Sequence, residues 1–557
     1  MTTIQIATSI LTLFAGIGVF LVACSMMSKN LEILGSGKLR GLFSSASKSK
    51  VLGVGIGAFT AAAIQSSGAT TVIAIGFLNA GVMSLIQAAT IIFGANIGTT
   101  ITGQIVAWGI SGGDSLSTTV IFSALAGLGA FITTFAKSDK IKTIGGIVTG
   151  FGMIFVGLEM MSGAMESFAD FEPVRMFLAS IDNVFLLVVI GAVLTAIIES
   201  SSVMTSVAIA MIVAGLITFN QGIYLTMGSN IGACIVSLLA GMGGSTNARR
   251  APVINLTLNI GGALIFLAIG IVIDMVTGGS IGLGTPFEAL FPGAPQIQLA
   301  MFHTVYNVLK VAIALPLTEA IVALACKIVP DTEEAPTEEY VPHTRFIDDN
   351  MLVTPAIAVE QTKNEIVAMA QTALTNFKSS ISCARTLDFS ERDAFNRNED
   401  DLNHINQELS TFISKLFGEQ LSEPDRQYLS HALHSISDLE RIGDYSCHIY
   451  DYATQLAKDN SSFSEEACHE LELLEGQVDQ LFETVMRAYV TGDKKAVKKS
   501  DAINKTINRL GTEMSLNHVS RISSGACTPE VGAHYLALVS DAERVGGHLF
   551  NLAKTVR

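Results

Sequence analysis

Charged residues are scarce in the first 330 residues of this 557-residue chain, which hold only 13 Lys and Arg and 12 Asp and Glu. The whole chain has 12 prolines and one tryptophan, and its seven cysteines form no CxxC pair. A basic excess is also missing, because the net charge is −15, so we expect no nucleic-acid partner. The cysteine pattern argues against a disulfide scaffold and against a zinc-finger type of site.

Long apolar segments fill the part of the chain that lacks charge. A helix needs about 20 residues to cross the hydrocarbon core of a bilayer. Seven segments meet that length: 4–27, 84–110, 118–136, 144–165, 219–242, 253–276 and 300–329. The first has no basic region before it and no small-residue cleavage site after it, so we expect a retained span and not a signal peptide. Residues 1–330 are therefore predicted to be a multi-pass membrane unit.

The remaining residues, 331–557, hold 21 Lys and Arg against 37 Asp and Glu and contain no spanning segment. Residues 331–350 are acidic and contain prolines, which is typical of a linker. From residue 351 to 557 the apolar residues recur at helical spacing, which predicts about six helices. The expected breaks lie near Asp388, Pro424, Ser462, Gly492 and Pro529.

A serine motif occurs twice in the membrane unit. Gln65-Ser66-Ser67-Gly68 returns 134 positions later as Glu199-Ser200-Ser201-Ser202, and Gly94-Ala95-Asn96-Ile97-Gly98 returns as Gly228-Ser229-Asn230-Ile231-Gly232. Self-similarity at a fixed offset indicates a duplicated architecture. The predicted repeats are about 1–136 and about 143–276, and the span at about 300–329 lies outside them. The alternative is that these small residues only allow membrane helices to approach closely.

The apolar segments on either side of each serine motif are too short to span. Residues 51–65 and 68–83 would each give about 22 Å of helix, against a core of about 30 Å. The same holds for 185–199 and 202–218. We therefore expect two re-entrant helical hairpins with their tips at the motifs, buried in protein or facing a watery cavity that satisfies their backbone groups.

Basic residues predict the orientation, because cytoplasmic loops are rich in Lys and Arg. They follow the first, third and fifth spans: Lys29, Lys38, Arg40, Lys48, Lys50, Lys137, Lys140, Lys142, Arg249 and Arg250. This places the N-terminus outside and the acidic tail in the cytoplasm. Each repeat then has an odd number of full spans, so the second repeat is predicted to be inverted. Inverted repeats with broken helices are typical of secondary transporters.

Hairpin tips of this kind can bind ions. A helix that begins at a tip has backbone N–H groups without intrahelical partners and the positive end of the helix dipole, which together favour an anion. Serine hydroxyls add donors, and amide, hydroxyl or carbonyl oxygens, including those of Gly94 and Gly228, suit a hard cation such as Na+. An anion accompanied by sodium ions is the cargo that this chemistry predicts.

These motifs resemble the type II sodium-phosphate cotransporters, whose signature is a duplicated Gln-Ser-Ser motif followed in each repeat by Gly-x-Asn-Ile-Gly. The resemblance covers nearly all of residues 1–330 and implies sodium-driven uptake of inorganic phosphate by alternating access. It implies phosphate contacts from Ser66, Ser67, Gly68, Ser200, Ser201 and Ser202. It implies sodium contacts from Gln65, Thr71, Asn96, Glu199, Thr205 and Asn230.

Three residues of the membrane unit leave alternatives open. Glu199 stands where the family usually has Gln, so it either binds Na+ and makes transport sensitive to pH, or only caps the following helix. Lys310 either meets the anion or snorkels and pairs with an acid such as Glu319. His303, in the family-like segment 302–307, is expected to make packing hydrogen bonds and not to bind a metal.

The tail resembles the PhoU family of phosphate-regulation proteins, whose helical bundles carry acidic metal-binding motifs. Asp438, Glu440 and Asp444 lie within two helical turns and could converge on a divalent or iron-type cation, or could form a solvated acidic face. The related segment at 541–547 has Gly547 in place of the last acid, which puts a second metal site in doubt.

The predicted fold is therefore all-α: a polytopic membrane protein with two inverted repeats, each with a re-entrant hairpin, plus a cytoplasmic PhoU-like bundle. The predicted function is sodium-coupled symport of inorganic phosphate across a bacterial inner membrane, with no organic cofactor. Alternatives are a sodium- or proton-coupled transporter of another oxyanion, or a phosphate-sensing receptor. No nucleophile–base pair or nucleotide loop indicates an enzyme, and a homodimer is left open.

Overall fold

A computed structural model describes residues 3–45, 49–79, 83–110, 118–242, 245–278, 280–331, 342–353 and 355–555. The chain forms two compact units, Met1–Glu333 and Glu334–Arg557, which we call the membrane unit and the tail unit. The described residues of both units are helical and include no β-strand. The predicted loop residue Lys48 and positions 332–341 of the predicted linker lie outside the described residues.

The membrane unit is built from helices of very different lengths. In chain order they are α1 (Thr3–Ser45), α2 (Lys50–Ile64), α3 (Ser67–Asn79), α4 (Leu85–Gly98), α5 (Thr100–Ile110), α6 (Thr118–Phe135), α7 (Asp139–Ala169), α8 (Glu172–Ala179), α9 (Val184–Ile198), α10 (Ser201–Val213), α11 (Phe219–Gly232), α12 (Cys234–Gly241), α13 (Thr246–Thr277), α14 (Thr285–Leu290), α15 (Pro295–Ala314) and α16 (Thr318–Ile328). By length and composition, the described residues contain six helices able to cross a membrane, and the bent pair α8–α9 would be a seventh.

The duplication seen in the sequence extends to the helix boundaries. Helices α2, α3 and α4 begin and end 134 residues before α9, α10 and α11, respectively. Their caps repeat as well: Ser84 and Gln87 form a capping box at the start of α4, and Thr218 and Gln221 form one at the start of α11. Gln87 and Gln221 also lie 134 residues apart, and helix capping explains why the same residue type occurs at both positions.

The glycines that flank the two asparagines hold helices close together. A Cβ atom on Gly94 would lie 2.0 Å from the carbonyl oxygen of Val54, and one on Gly228 would lie 2.0 Å from that of Val188. Helix α4 thus packs directly on α2, and α11 on α9. The interpretation of the Gly94 and Gly228 carbonyls as loosened ion ligands was wrong, because both residues lie inside continuous helices.

Several helix boundaries differ from those predicted, including those of the first and last spans. Helix α1 continues to Ser45, so the predicted basic loop after the first span is helical over most of its length. The predicted span 300–329 is divided into α15 and α16, which flank Pro316. Proline has no N–H and disfavours a helical conformation in the residue before it, so the break falls at this point.

The tail unit has the six helices that the sequence predicts. They are α17 (Pro355–Thr386), α18 (Arg392–Phe417), α19 (Glu423–Lys458), α20 (Glu465–Thr491), α21 (Lys494–Ser523) and α22 (Pro529–Lys554). Helices α17–α19 and α20–α22 form two three-helix groups, which are joined where α19 packs on α22. One continuous hydrophobic core runs through all six helices.

Replacing Gly228 with Ala tests the close approach of α11 and α9. The new methyl would overlap the Val188 carbonyl, so we expect a loss of roughly 1–3 kcal/mol in stability. Gly261→Ala in α13 is the control, because a Cβ there meets nothing within 4 Å. Thermal unfolding of the purified protein in detergent should show a lower midpoint for Gly228→Ala alone; equal midpoints for both variants would contradict the packing.

Candidate functional site

Both serine motifs lie at a two-residue break between one helix and the next. Gln65, after α2, has φ 55°, and Glu199, after α9, has φ 60°, which is the left-handed conformation. The next residue in each motif then caps a new helix: Ser66 Oγ accepts a hydrogen bond from Ala69 N at 3.0 Å, and Ser200 Oγ accepts one from Val203 N at 3.4 Å. The two hairpin tips therefore share one local structure.

This geometry tests one of the two alternatives for Glu199, the helix cap. The residue that caps α10 is Ser200, whereas Glu199 ends α9 and its side chain is exposed. The interpretation of Glu199 as the cap of the following helix was therefore wrong. Its counterpart Gln65 differs in environment, because Gln65 Oε1 is buried and has no hydrogen-bond partner among the described residues.

Hydroxyl groups at the tips are available for a ligand. Ser67, Ser201 and Ser202 lie in the first turns of α3 and α10, where backbone N–H groups lack intrahelical partners. Within the described part of the chain, their hydroxyls make no hydrogen bond, while the Ser201 carbonyl accepts one from Ser229 Oγ at 3.4 Å. Each tip thus combines free hydroxyl donors with the positive end of a helix dipole.

Each hairpin packs against the other repeat. A Cβ atom on Gly68, at the first tip, would lie 3.2 Å from Val236 Cγ1, and α3 packs on α12. In the same way α10 of the second hairpin packs on α5 of the first repeat. Each hairpin therefore contacts its own repeat and the opposite one, so both repeats contribute to the surroundings of the tips.

The two predicted sodium ligands from the hairpin helices differ. Thr71 is buried and its Oγ1 donates to the Ser67 carbonyl at 2.9 Å. Its counterpart Thr205 is also buried, but its Oγ1 has no partner among the described residues. The side chain of Thr205 and the Nδ1 atom of His303, which is unpartnered too, both lie within 3.8 Å of the position that a Cβ on Gly103 would take.

Asn230 joins this group through the other nitrogen of His303. Its Oδ1 lies 3.3 Å from His303 Nε2, and its Nδ2 donates to Asn307 Oδ1 at 3.4 Å. His303 thus contacts Asn230 through Nε2 and shares the surroundings of Gly103 with Thr205, although the sequence assigned it only to packing. The hydrogen bond from Asn307 Nδ2 to the His303 carbonyl at 2.9 Å keeps this face of α15 ordered.

Asn96, the counterpart of Asn230, belongs to a second buried group. Its Nδ2 donates to Asn255 Oδ1 at 3.1 Å, and its Oδ1 accepts from Lys310 Nζ at 3.4 Å. Lys310 Nζ also donates to Asn259 Oδ1 at 2.6 Å. Glu319 is not its partner, as proposed in one alternative, because Glu319 forms an ion pair with Lys50.

Asn255 and Asn259 were missed in the sequence. They lie four residues apart on one face of α13, inside a strongly apolar segment, and both are buried. Polar side chains in membrane helices usually face the bundle interior and often serve a function, so this spacing could have found them.

In the tail unit, the three acidic residues predicted to bind metal are divided between two helix interfaces. Asp438 Oδ1 lies 2.7 Å from His548 Nδ1 and accepts from Asn551 Nδ2 at 3.2 Å, so Asp438 is held by α22. Glu440 and Asp444 face Glu399 of α18. Burial raises the pKa of Glu399, and the carboxylates of Asp444 and Glu440 raise that pKa further.

No group of three or more His, Cys, Asp or Glu side chains is arranged to hold a metal ion in the described ranges. The metal site of the tail unit therefore stays a prediction. Residues Glu399, Glu440 and Asp444 would have to rearrange to bind a cation, because they do not form a metal-holding group in the described part of the chain.

Comparisons with known proteins agree with this division into two units. The Na+/Pi-cotransporter family model matches residues 19–164 and again residues 156–290, so each match covers most of one repeat. The PhoU domain model matches residues 366–453. No solved structure matches the chain.

Relatives with the same architecture match almost the full length. The Escherichia coli protein named "Putative inorganic phosphate export protein YjbB" is 23% identical over 523 residues, which are 93% of this chain and 92% of that protein.

Other relatives match shorter parts of the chain. The human "Sodium-dependent phosphate transport protein 2B" is 36% identical over 89 residues, 15% of this chain and 13% of that protein. The Thermotoga maritima "Phosphate-specific transport system accessory protein PhoU homolog 1" is 28% identical over 130 residues, 23% of this chain and 55% of that protein.

Thr205→Val tests whether the unpartnered Thr205 hydroxyl serves a ligand. Leaving a buried hydroxyl unpaired costs about 1–3 kcal/mol, so its removal should not lower the unfolding midpoint in a buffer free of Na+ and phosphate. Ligands that bind the native state raise the midpoint, and we expect sodium phosphate to raise it less in Thr205→Val than in the unmodified protein.

Thr195→Val is the matched control, since the Thr195 hydroxyl donates to Ser229 Oγ at 2.9 Å. This control should lower the midpoint in the absence of salt and keep the response to sodium phosphate. A full response of Thr205→Val to sodium phosphate would contradict a ligand at this hydroxyl.

Proposed function

Because residues 19–290 of this chain belong to the Na+/Pi-cotransporter family and residues 366–453 form a PhoU domain, we propose that the protein carries inorganic phosphate across a membrane together with Na+. The observation that carries this proposal is the pair of hairpin tips, each beginning a helix with free hydroxyls and each packed against the opposite repeat. Among the described residues of both hairpins, the chain leaves the helical conformation only at the two tips.

Phosphate is bound, in this proposal, between the first turns of α3 and α10. The backbone N–H groups there lack partners, and hydroxyls come from Ser67, Ser201 and Ser202. Ser66 and Ser200 already use a lone pair in capping, but each can still donate its hydroxyl proton. Gly68 lets Val236 approach the first tip, so its contribution is close packing there.

Sodium is held by oxygens around the same tips. Support comes from two buried acceptors that have no partner in the described part of the chain, Gln65 Oε1 and Thr205 Oγ1. Asn230 Oδ1 lies 3.3 Å from His303 Nε2, and the exposed side chain of Glu199 adds carboxyl oxygens at the second tip. Oxygen ligands of this kind suit a hard cation, and the positive charge of Na+ offsets the cost of desolvating phosphate.

Transport follows by alternating access between two inverted repeats, with the N-terminus outside and the tail unit in the cytoplasm of a bacterial cell. The contacts that each hairpin makes with the opposite repeat support this cycle, because a movement of one repeat relative to the other changes both tips at once. The PhoU domain then regulates the membrane unit according to phosphate supply.

Phosphate export is a second candidate, favoured by the full-length relatives that are named as inorganic phosphate export proteins. A symporter can run in either direction, since the sum of the sodium and phosphate gradients determines the net flow. Export and uptake thus use the same site and differ in the gradients that the cell maintains.

The test is labelled-phosphate flux in proteoliposomes containing the full-length protein. We expect an inward Na+ gradient to drive accumulation of phosphate, which arsenate inhibits and sulfate does not. Phosphate flux that does not depend on the Na+ gradient would contradict coupling. Inhibition by sulfate would favour a transporter of another oxyanion. Binding of phosphate without any flux would favour a receptor.

Ser201→Ala and Ser206→Ala form a matched pair for the phosphate site. Ser201 has an unpartnered hydroxyl at the tip, whereas Ser206 lies one turn further along and already donates to the Ser202 carbonyl at 2.8 Å. In the same flux assay we expect Ser201→Ala to raise the phosphate concentration for half-maximal transport about tenfold, since a hydrogen bond to a charged group contributes about 1.5–3 kcal/mol. Equal effects of both substitutions would contradict the site.

A further inference from the structure

Lys310 is a buried lysine that the proposed transport site does not use. It lies in α15, its side chain is 2% exposed, and its Nζ donates to Asn259 Oδ1 at 2.6 Å and to Asn96 Oδ1 at 3.4 Å. The ring of Tyr306 lies 5.0 Å from Nζ and adds a cation–π contact. A Cβ on Gly262 would lie 2.5 Å from Lys310 Cδ, so this glycine makes room for the lysine stem.

The neighbouring amides are oriented to receive a cation. Asn96 Nδ2 and Asn259 Nδ2 both donate to Asn255 Oδ1, each at 3.1 Å. With both amide nitrogens engaged on one acceptor, the two oxygens are left to face Lys310 Nζ. Asn255 is itself fixed, since its Nδ2 donates to Ser237 Oγ at 3.5 Å.

No acidic side chain balances the ammonium. Among the described residues, Lys310 forms no ion pair, and Glu319, the nearest acid along the sequence, pairs with Lys50. A charged group inside a membrane bundle is costly unless it is paired or has a function. Uncharged amide oxygens with a cation between them are the type of environment that hard cations such as Na+ occupy in proteins.

The asparagine of the second repeat has a different partner from that of the first. Asn230 occupies the position of Asn96, and its Oδ1 faces His303 Nε2 of the same helix α15. Helix α15 lies outside the duplicated segment, so it supplies a different side chain to each asparagine. In the first repeat the asparagine oxygen receives a cation that is covalently part of the chain.

We propose that the Lys310 ammonium occupies a cation site formed by Asn96 of the first repeat and Asn259 of the second, and takes the place of one mobile sodium ion. This inference rests on the proposed sodium coupling. The compact, strongly hydrated lysine ammonium resembles a small monovalent cation in charge and in its need for oxygen acceptors. The protein therefore carries one sodium ion fewer per phosphate than the same scaffold would with this site open.

Lys310→Met is the decisive variant, because it removes the charge and leaves a flexible apolar stem. In proteoliposomes with the full-length protein, we expect the ratio of labelled Na+ to labelled phosphate to rise by one Na+. We also expect at least a threefold increase in the Na+ concentration for half-maximal flux. Lys50→Met, the same change at an exposed position, is the control and should alter neither quantity.

Other flux results would overturn the proposal. A lower phosphate affinity with an unchanged ratio would mean that Lys310 balances the anion. A sodium-independent flux in the unmodified protein would refute the proposed coupling. The sodium-binding test described next would then decide whether Lys310 occupies a cation site.

The binding test uses thermal unfolding of the purified protein in NaCl without phosphate. We expect NaCl, compared with choline chloride, to raise the midpoint of Lys310→Met more than that of the unmodified protein, because an additional site has become open. Lys310→Gln, which keeps a hydrogen-bonding group, takes the place of the methionine variant if that variant does not fold. Equal sodium responses in variant and unmodified protein would overturn the inference.

Discussion

Two residues in the left-handed backbone conformation, Gln65 and Glu199, determine the form of the membrane unit. Each ends a 15-residue helix that is too short to cross a bilayer, and each is followed by a serine that starts a new helix. A helix break of this kind leaves backbone groups unpaired, and inside a membrane such groups must be covered by protein or reach water. Contacts with both repeats provide that cover, since α3 packs on α4 and α12, and α10 packs on α11 and α5.

The contacts between the repeats also determine where chemistry can occur. The first turns of α3 and α10 offer hydroxyls and free amides, while His303 contacts Asn230 and shares the surroundings of Gly103 with Thr205. Helix α15 contacts both repeats without belonging to either, and it supplies His303 to one asparagine and Lys310 to the other. A duplicated scaffold thus becomes chemically asymmetric through a single additional helix, which is how two similar halves can hold different ions.

Sequence patterns predicted the helical elements well where one physical rule dominates. The short apolar segments and the serine motifs predicted the breaks at residues 65 and 199, and helical periodicity predicted all six helices of the tail unit. Failures came from competing interactions. Gly94 and Gly228 allow close helix packing and lie inside continuous helices. Pro316 divides the last span. Lys310 donates to asparagines of other helices and does not pair with Glu319. Such contacts depend on which helices become neighbours, and linear spacing does not contain that information. The inversion of the second repeat remains a prediction, because no membrane boundary defines the two sides.

The central claim is that phosphate binds between the two hairpin tips with sodium beside it. The most direct measurement is an experimental structure of the full-length protein with phosphate and Na+ bound. The account predicts phosphate oxygens within hydrogen-bond distance of the backbone amides or hydroxyls at Ser67 and Ser201, with a sodium ion near Gln65 or Thr205. Phosphate bound away from both tips, or tips separated by lipid, would contradict it.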